Sequence, residues 1–309
     1  MSFLRHLVLA HWDQFLWHEI DLGCISDIPY DTQYVDESPC VCKSRRHNYA
    51  ERNAIIIEAK SQPLIDLGVY RRAGPEVVDR AQLVVVLTKP DDPMNLKYCR
   101  VAHDFRCKND KALLVPVPMA TRPKLYSFLT RFQFFWKTDA DRGFLQVVQA
   151  PSAIRHTGFE LFYELYVSER MLFGQINGPA LFELNFNVIA RDLKFNQKVV
   201  KNFFEDILGG SNSLDDLLAS WAQLLQQARR HSWKFKPAKT EFGFGTSWLL
   251  VRITVVRMVL LRLSINWWMP YVPCVTPVQL RKSALCLGYL INSVTGFRGM
   301  HCECKPSPS

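Results

Sequence analysis

The sequence predicts an α+β fold, and three observations support this prediction. Short apolar runs rich in β-branched and aromatic residues indicate strands, and one long segment repeats its apolar residues with helical spacing. The two kinds of segment alternate without a regular strand–helix–strand rhythm, which favours α+β over doubly wound α/β. The 309 residues are 48% hydrophobic and 22% charged, ordinary globular usage that excludes collagen-like, coiled-coil and fully disordered chains.

The predicted strands lie in the first half of the chain and its middle. Leu83–Lys89 is a β-branched apolar run that ends in the turn sequence KPDDP, and Tyr98–Phe105 is its expected hairpin partner. Phe134–Trp136 is an aromatic run that leads directly into TDAD, and Thr157–Tyr166 is rich in Phe and Tyr. We expect each of these segments to form a strand.

One helix is specified at both of its ends. Ser213 is a typical N-cap, and Asp215 and Asp216 follow in the first turn, where the helix dipole favours anions. Leucine, tryptophan and alanine side chains then recur at spacings of three and four, and Arg229 and Arg230 close the last turn. The segment therefore predicts an amphipathic helix that starts after Ser213.

Carboxylates stand at the ends of two apolar runs. Asp139 follows FFWKT, and Glu205 and Asp206 lie at or near the bend of a predicted hairpin in VVKNFFEDILGGS. Carboxylates in such places are costly unless they face water, a cation or a hydrogen-bond donor. If the three converge, they provide the oxygen ligands that Mg²⁺ prefers, and a pair of such ions suits nucleotidyl transfer. The alternative is that they are ordinary solvated turn acids.

The net charge of +9 is unevenly distributed along the chain. Residues 246–309 carry seven Lys or Arg side chains against Glu303 alone. This excess favours a polyanionic partner such as nucleic acid, and a merely basic soluble surface explains it equally well. The segment WKFKPAK places Trp233 and Phe235 between lysines, which fits either backbone contact with base stacking or a sheet edge with one aromatic face.

The cysteines and the ends of the chain bear on its compartment. Nine cysteines, an odd number, and an N-terminus without a signal-peptide pattern predict an intracellular protein with reduced thiols. Three arginines cross the one candidate membrane stretch, Trp248–Met269, so we do not expect it to span a bilayer. The pairs Cys40/Cys42 and Cys302/Cys304 have a C-x-C spacing, which is poor evidence for structural zinc.

Several motifs in order resemble a known family. They read HEIDLG at 18–23, PLIDLGV at 63–69, VVVLTKPDD to YCRVAHDFRCKN at 84–109, PVPM at 116–119, FFWKTDADRGFLQV at 134–147, HTGF at 156–159, MLFGQINGPALFE at 171–183, FFEDIL at 203–208 and KPAKTEFGF at 236–244. Together they resemble the reverse transcriptase of gypsy-type long-terminal-repeat retrotransposons. The resemblance covers about residues 18–244, and beyond 245 only QLRKSALCLGYL at 279–290 is similar.

The resemblance implies the fingers and palm of a right-hand polymerase, followed by a degenerate thumb-like segment. On this basis residues 1–60 are an N-terminal extension leading into the fingers, 61–245 are fingers and palm, and 246–309 are a basic, atypical C-terminal segment. It also implies DNA synthesis on a primed RNA or DNA template from deoxynucleoside triphosphates. The implied cofactor is Mg²⁺, as two ions, or Mn²⁺; the implied location is cytoplasmic or nuclear, without a membrane partner.

The resemblance assigns catalytic and metal-binding roles to Asp139, Glu205 and Asp206, and makes the Ala140 carbonyl a backbone ligand. Glu205 is a departure, because the family has aspartate there. The stretch 246–269 has also lost the primer-grip pattern of the family. These departures support an alternative hypothesis, in which the chain is a catalytically inactive retrotransposon remnant that at most binds nucleic acid.

Four further residues take nucleotide-binding roles from the resemblance. Phe144 stands at the steric gate under the nucleotide sugar, Gly174 lets backbone approach the nucleotide, and Arg100 and Lys89 clamp the triphosphate. An Arg fork binds phosphate bidentately, whereas a Lys acts as a point charge. Plain core packing for Phe144, a simple turn for Gly174 and solvated hairpin charges for the two cations remain open.

Overall fold

The computed structural model describes residues 2–17, 21–41, 51–87, 95–118, 122–191, 193, 199–203 and 205–244. The helices are α1 (Ser2–Ala10), α2 (Glu51–Asp66), α3 (Arg106–Asn109), α4 (Arg122–Leu129), α5 (Gly143–Gln146), α6 (Pro151–Ile154), α7 (Gly178–Arg191) and α8 (Leu214–Arg230). The strands are β1 (Ile25–Tyr30), β2 (Tyr70–Arg72), β3 (Gln82–Leu87), β4 (Cys99–Asp104), β5 (Phe134–Asp139), β6 (Val147–Gln149), β7 (Phe159–Leu161), β8 (Glu164–Ser168), β9 (Val200–Phe203), β10 (Asp206–Ser211) and β11 (Glu241–Phe244).

An antiparallel sheet with the strand order β11–β5–β10–β9 forms the centre of the described fold. Its strand β5 is buried along almost its whole length, as expected for a run of aromatic residues. The predicted hairpin is confirmed as β9 and β10, with Glu205 in the turn between them. Gly209 lies opposite Trp136, and a Cβ atom at Gly209 would clash with the indole, so this close approach requires glycine.

Both faces of this sheet are covered by helices. On the face of Trp136, the indole Nε1–H donates a hydrogen bond of 3.0 Å to Ser220 Oγ on α8, and α7 joins the same core. On the opposite face, α4 packs against Phe135 and Leu208. The helix prediction is confirmed, since Ser213 Oγ accepts a hydrogen bond from the Asp216 backbone N–H at 3.4 Å.

The other predicted strands are also present, so the α+β prediction is confirmed. β3 and β4 form the expected antiparallel hairpin, in register from Gln82–Asp104 to Leu87–Cys99. The segment rich in Phe and Tyr forms β7 and β8, which pair with β2 in a second sheet. The described strand β3 ends at Leu87, and Lys89 lies outside the described residues.

The structure corrects two expectations. The WKFKPAK segment is neither a sheet edge nor a stacking surface, because Trp233 and Phe235 are 0% exposed and belong to the core beneath α7 and α8. The chain turns back at Ser232, which has a φ of 56°, and this reversal sends the two aromatic rings inward. The expectation of reduced thiols is wrong for Cys40 and Cys107, which are joined in a disulfide.

Two further expectations concern membranes and the C-terminal segment. Within the part of the chain that the structure describes, no helix has the length and apolar character needed to cross a bilayer. Trp248–Met269, the basic side chains of 246–309 and the C-x-C pair Cys302/Cys304 all lie outside the described residues.

Candidate active site

The ends of β5 and β10 bring the predicted carboxylates together. Asp139 is the last residue of β5 and Asp206 is the first of β10, and the strand register places the two directly opposite each other. Directly opposed residues of antiparallel strands project to the same face of a sheet. The Glu205 carbonyl accepts a hydrogen bond of 3.1 Å from the Ala140 N–H and closes the junction. Asp139, Glu205 and Asp206 thus form one group, called here the carboxylate corner.

Lysine side chains contact the two aspartates of the carboxylate corner. Lys239 Nζ donates a hydrogen bond of 2.8 Å to Asp139 Oδ1. Lys137 Nζ lies 2.9 Å from Asp206 Oδ1. The two partners differ in their access to water, because the side chain of Lys137 is 7% exposed and that of Lys239 is 49% exposed. Lys239 can therefore turn to solvent when another cation takes its place, whereas Lys137 is held inside.

The electrostatics of the corner favour protonation or an additional cation. Burial, together with the charges of Asp139 and Asp206, raises the pKa of Glu205 to about 7, while Lys239 and Arg100 oppose the shift. Burial also raises the pKa of Asp139, despite the hydrogen bond from Lys239. The neighbouring cations therefore do not fully offset the burial and the mutual repulsion of these carboxylates.

The donor chemistry of the corner fits a hard divalent cation. Carboxylate oxygens are ligands that Mg²⁺ prefers, and Asp139 and Asp206 bring them to the same end of the sheet. Across the described ranges, no three His, Cys, Asp or Glu side chains are already arranged as a metal-binding group. The aspartates are instead engaged by ammonium groups, and these are the contacts that a bound metal would replace.

Phe144 lies on α5, shortly after Asp139. Its ring stacks on Phe173 with a centroid distance of 5.1 Å and an interplanar angle of 24°. On another side it contacts Phe182, whose ring centroid is 5.8 Å away and which is 1% exposed. Phe144 is half-buried and Phe173 is 42% exposed, so the stacked pair extends from the core toward the surface. This placement accommodates both interpretations of Phe144, core packing and steric gate.

The loop around Gly174 is held by a residue that sequence reasoning missed. Asn109 Nδ2 donates a hydrogen bond of 2.7 Å to the Gly174 carbonyl, and Asn109 Oδ1 accepts one of 3.1 Å from the Ile176 N–H. Gly174 has a φ of 100°, and a Cβ there would come within 3.0 Å of the His103 carbonyl. Glycine is therefore needed at this turn for conformational reasons as well as for close approach.

Arg100 lies exposed on β4, opposite Val86 of β3. Its positive charge is one of the neighbouring charges that lower the pKa of Glu205. The structure thus brings Arg100 and the corner into electrostatic range, although they are far apart in sequence. No comparable statement applies to Lys89, which lies outside the described residues.

Sequence reasoning also missed the lysines that pair with the aspartates. Lys137 is part of the strand sequence FFWKTD, and a lysine two residues before Asp139 on a buried strand projects to the same face. That alternation was an available signal. Lys239 had no such signal, because the 3₁₀ turn Pro237–Lys239 and the start of β11 place it beside Asp139 only in the folded chain.

Comparisons with known proteins bear on the family and the fold of the chain. The sequence pattern of a family described as "Reverse transcriptase (RNA-dependent DNA polymerase)" matches residues 98–288. The match includes β4, the carboxylate corner and much of the segment after 245. A relative from Drosophila melanogaster, "Retrovirus-related Pol polyprotein from transposon 297", is 28% identical over 199 residues, 64% of this chain. This chain spans only 18% of that polyprotein.

Solved structures show the same fold. One is the foamy viral protease-reverse transcriptase in complex with RNA/DNA hybrid, with a TM-score of 0.65 and 17% identity over 77% of this chain and 30% of that one. Another is the native crystal structure of Prototype Foamy Virus Protease-Reverse Transcriptase, with a TM-score of 0.66 and 16% identity over 96% of this chain and 38% of that one. The chain therefore has the mixed α+β polymerase fold of these structures.

Proposed function

We propose a function on the premise that this chain belongs to the reverse transcriptase (RNA-dependent DNA polymerase) family, whose pattern matches more than half of its length. The proposed reaction is template-directed DNA synthesis, in which a primer on an RNA or DNA template is extended with deoxynucleoside triphosphates. The observation that carries the proposal is the register pair Asp139–Asp206 at the ends of β5 and β10, with Glu205 in the adjoining turn.

The proposed role of the corner is to hold cations beside the reacting phosphate. Asp139 and Asp206 provide anionic oxygens on one face of the sheet, and Lys239 leaves Asp139 for solvent when a metal is bound. Asp139 and Asp206 would hold two Mg²⁺ ions, which would supply activation of the primer 3′-hydroxyl and charge neutralisation of the departing pyrophosphate. The protein's own contribution is then positioning and a preorganised electrostatic field.

The nucleotide is proposed to lie between the β3–β4 hairpin and α5. Arg100 offers a guanidinium fork for the triphosphate, and its position within electrostatic range of Glu205 supports this role. Lys89 is proposed as the second phosphate contact. Phe144, whose ring stacks on Phe173, is proposed to exclude a 2′-hydroxyl, and Gly174 forms the adjoining turn.

Glu205 is proposed to impair this reaction. Glutamate keeps the charge of aspartate but adds a methylene, and Mg²⁺ requires near-ideal octahedral geometry. A displacement of a catalytic group by ~1 Å can reduce the rate by ~10²-fold. We expect weak extension in Mg²⁺, with the corner still able to hold a cation.

A primer-extension assay with the purified full chain tests the proposal. The assay uses a DNA primer on an RNA template, all four deoxynucleoside triphosphates and either Mg²⁺ or Mn²⁺. We expect extension, however weak, that Asp206→Asn abolishes and that Asp215→Asn, an exposed acid in the first turn of α8, leaves unchanged. No extension by a folded wild-type chain with either metal would support the inactive remnant instead.

The basic segment 246–309 is proposed to contribute nucleic-acid affinity without sequence preference. Its seven Lys or Arg side chains would release counterions from a bound polyanion, so that affinity falls steeply with salt. Replacing its arginines and lysines with glutamine should flatten the plot of log affinity against log salt. An unchanged slope would show that this segment is not part of the interface.

The proposal also includes an intracellular location, cytoplasmic or nuclear. It further includes the division of the chain at residues 60 and 245.

A further inference from the structure

An extended segment near the N-terminus, residues 33–41, is fastened along one side of the fold. The Val35 N–H donates a hydrogen bond of 2.8 Å to the Lys111 carbonyl, and the Leu113 N–H donates one of 2.8 Å to the Gln33 carbonyl. At its far end the Arg80 N–H donates a hydrogen bond of 2.9 Å to the Cys40 carbonyl. The segment contains no helix or extended strand of its own. The Lys111 ammonium also contacts Asp36 at 2.9 Å and donates a hydrogen bond of 3.0 Å to the Ser38 carbonyl, and a disulfide adds a covalent bond.

That covalent bond is the disulfide between Cys40 and Cys107, which are 67 residues apart in sequence. Its two halves have different surroundings. Cys40 is 4% exposed, and its N–H donates a hydrogen bond of 2.7 Å to Asp79 Oδ1. Cys107 is an exposed residue on α3. A thiol from solvent can therefore reach the disulfide from the side of Cys107, while Cys40 is held by buried partners.

Helix α3 also connects the disulfide to the Gly174 loop. Asn109, two residues after Cys107, makes the two hydrogen bonds that hold the Gly174 carbonyl and the Ile176 N–H. The same short helix is thus joined to residues 33–41 by the disulfide and to the Gly174 loop by the hydrogen bonds of the Asn109 side-chain amide. A change in the position of α3 is transmitted to both neighbours.

We propose that Cys40–Cys107 is a reversible thiol–disulfide exchange site for low-molecular-weight thiols, and that its closed form steadies residues 33–41 and the Gly174 loop. In opening, a glutathione thiolate attacks the Cys107 sulfur and the Cys40 thiolate leaves. A second glutathione thiolate then releases Cys107, so that two glutathiones are oxidised to one glutathione disulfide and the two protein thiolates take up two protons. Closing reverses these steps with glutathione disulfide as the oxidant.

The intracellular location proposed above makes such a bond informative. Disulfides of intracellular proteins are usually transient and redox-sensing rather than permanent staples. An exposed half and a buried half within one bond match that behaviour, because exchange requires access to one sulfur. The proposal stands whether or not the chain polymerises DNA, since its readouts do not depend on activity.

The test compares the full chain equilibrated with glutathione disulfide and with reduced glutathione. Peptide mapping after alkylation should find Cys40 linked to Cys107 in the first sample and both alkylated in the second. Backbone hydrogen exchange should rise several-fold on reduction in residues 33–41 and 173–176, and little in α8. The melting temperature should fall by ~5–10 °C, as expected for the loss of a disulfide that closes a long loop.

Variants separate this site from the remaining thiols. Cys107→Ser should reproduce the exchange pattern of the reduced protein under both conditions. Cys24→Ser, at an exposed free cysteine, should behave as the wild type does. If Cys107→Ser does not fold, the two redox forms of the wild type decide the question. Alkylation of both cysteines after oxidation, linkage of Cys107 to another cysteine, or an unchanged exchange pattern on reduction would each overturn the proposal.

Discussion

Two buried carboxylates, Asp79 and Asp139, are each paired with a lysine, but the two lysines differ in their exposure to solvent. Asp79 is 2% exposed; it accepts a hydrogen bond from the Cys40 N–H, contacts His156 and lies 3.0 Å from Lys108 Nζ, which is itself buried. Asp139 is 6% exposed, but its cation is the half-exposed Lys239. One carboxylate is enclosed by fixed partners, and the other depends on a partner that can leave.

The pKa directions express this difference. Burial alone would raise the pKa of Asp79, but the hydrogen bonds from His156, Cys40 and Lys108 hold it below its usual value. At Asp139, burial raises the pKa and the hydrogen bond from Lys239 does not compensate. A carboxylate that its surroundings satisfy indicates a structural role, whereas one left short of positive charge indicates a site that awaits a cation.

The largest expected effect tests the structural half of this comparison. Asp79→Asn removes the counter-charge of buried Lys108, and breaking one side of a buried ion pair typically destabilises a protein by ~3–5 kcal/mol. Asp139→Asn leaves only Lys239, which can turn to water, so its effect on stability should be within ~1 kcal/mol. Urea denaturation of both variants measures the two free energies of unfolding.

Asp215→Asn serves as the control for that measurement, because it replaces an exposed acid of α8. Equal losses of stability at Asp79 and Asp139 would remove the distinction between an enclosed and a labile carboxylate. A large loss of stability in the Asp139 variant alone would reverse this distinction.

The central elements could be predicted from sequence because their signals are local. The aromatic run before TDAD defines β5, and the N-cap Ser213 with its helical repeat defines α8. The hairpin of β9 and β10 follows from apolar runs on either side of Glu205 and Asp206. Each of these patterns lies within about twenty residues. The expectation that Asp139 and Asp206 meet came from the family resemblance, because local patterns do not determine which strands pair.

The remaining features could not be predicted, because they depend on residues that meet only in the folded chain. Asp79, Lys108 and His156 come from three separate segments, and nothing in their spacing indicates a buried ion pair. The odd number of cysteines argued against the Cys40–Cys107 disulfide. Aromatic and basic residues do alternate in WKFKPAK, but the chain reversal at Ser232 directs Trp233 and Phe235 into the core.

The second prediction sharpens the functional half of the comparison. Glu205→Asp should raise primer extension in Mg²⁺ by up to ~10²-fold, because it withdraws the carboxylate by one methylene toward the position that octahedral coordination requires. Stability should change little, since the charge is kept. Single-turnover extension rates with Mg²⁺ and with Mn²⁺ measure the effect, and the gain should be smaller with Mn²⁺.

The matched control for this substitution is Glu58→Asp, which makes the same chemical change at an exposed position of α2. Robust wild-type extension in Mg²⁺ that Glu205→Asp does not improve would contradict the geometric argument. A folded but inert Glu205→Asp protein would assign the defect to the segment after residue 245 instead.

The smallest expected effect is a pH dependence that separates the corner from Asp79. The folded-state pKa of Glu205 is raised from 4.5 to about 7, so between these values the folded chain keeps a proton that the unfolded chain has lost. The stabilising contribution of this group is therefore complete below pH 4.5 and declines as the pH rises to about 7. In metal-free buffer with a chelator, the melting temperature of Glu205→Gln should exceed that of the wild type by a few degrees above pH 7, and the difference should vanish toward pH 4.5.

Asp79 should not make stability depend on pH between 4.5 and 7, because its lowered pKa keeps it ionised throughout this range. A difference between wild type and Glu205→Gln that stays constant across the window would show that the Glu205 carboxyl is not enclosed by the corner, and the contrast between the two carboxylate sites would then rest on Asp139 alone.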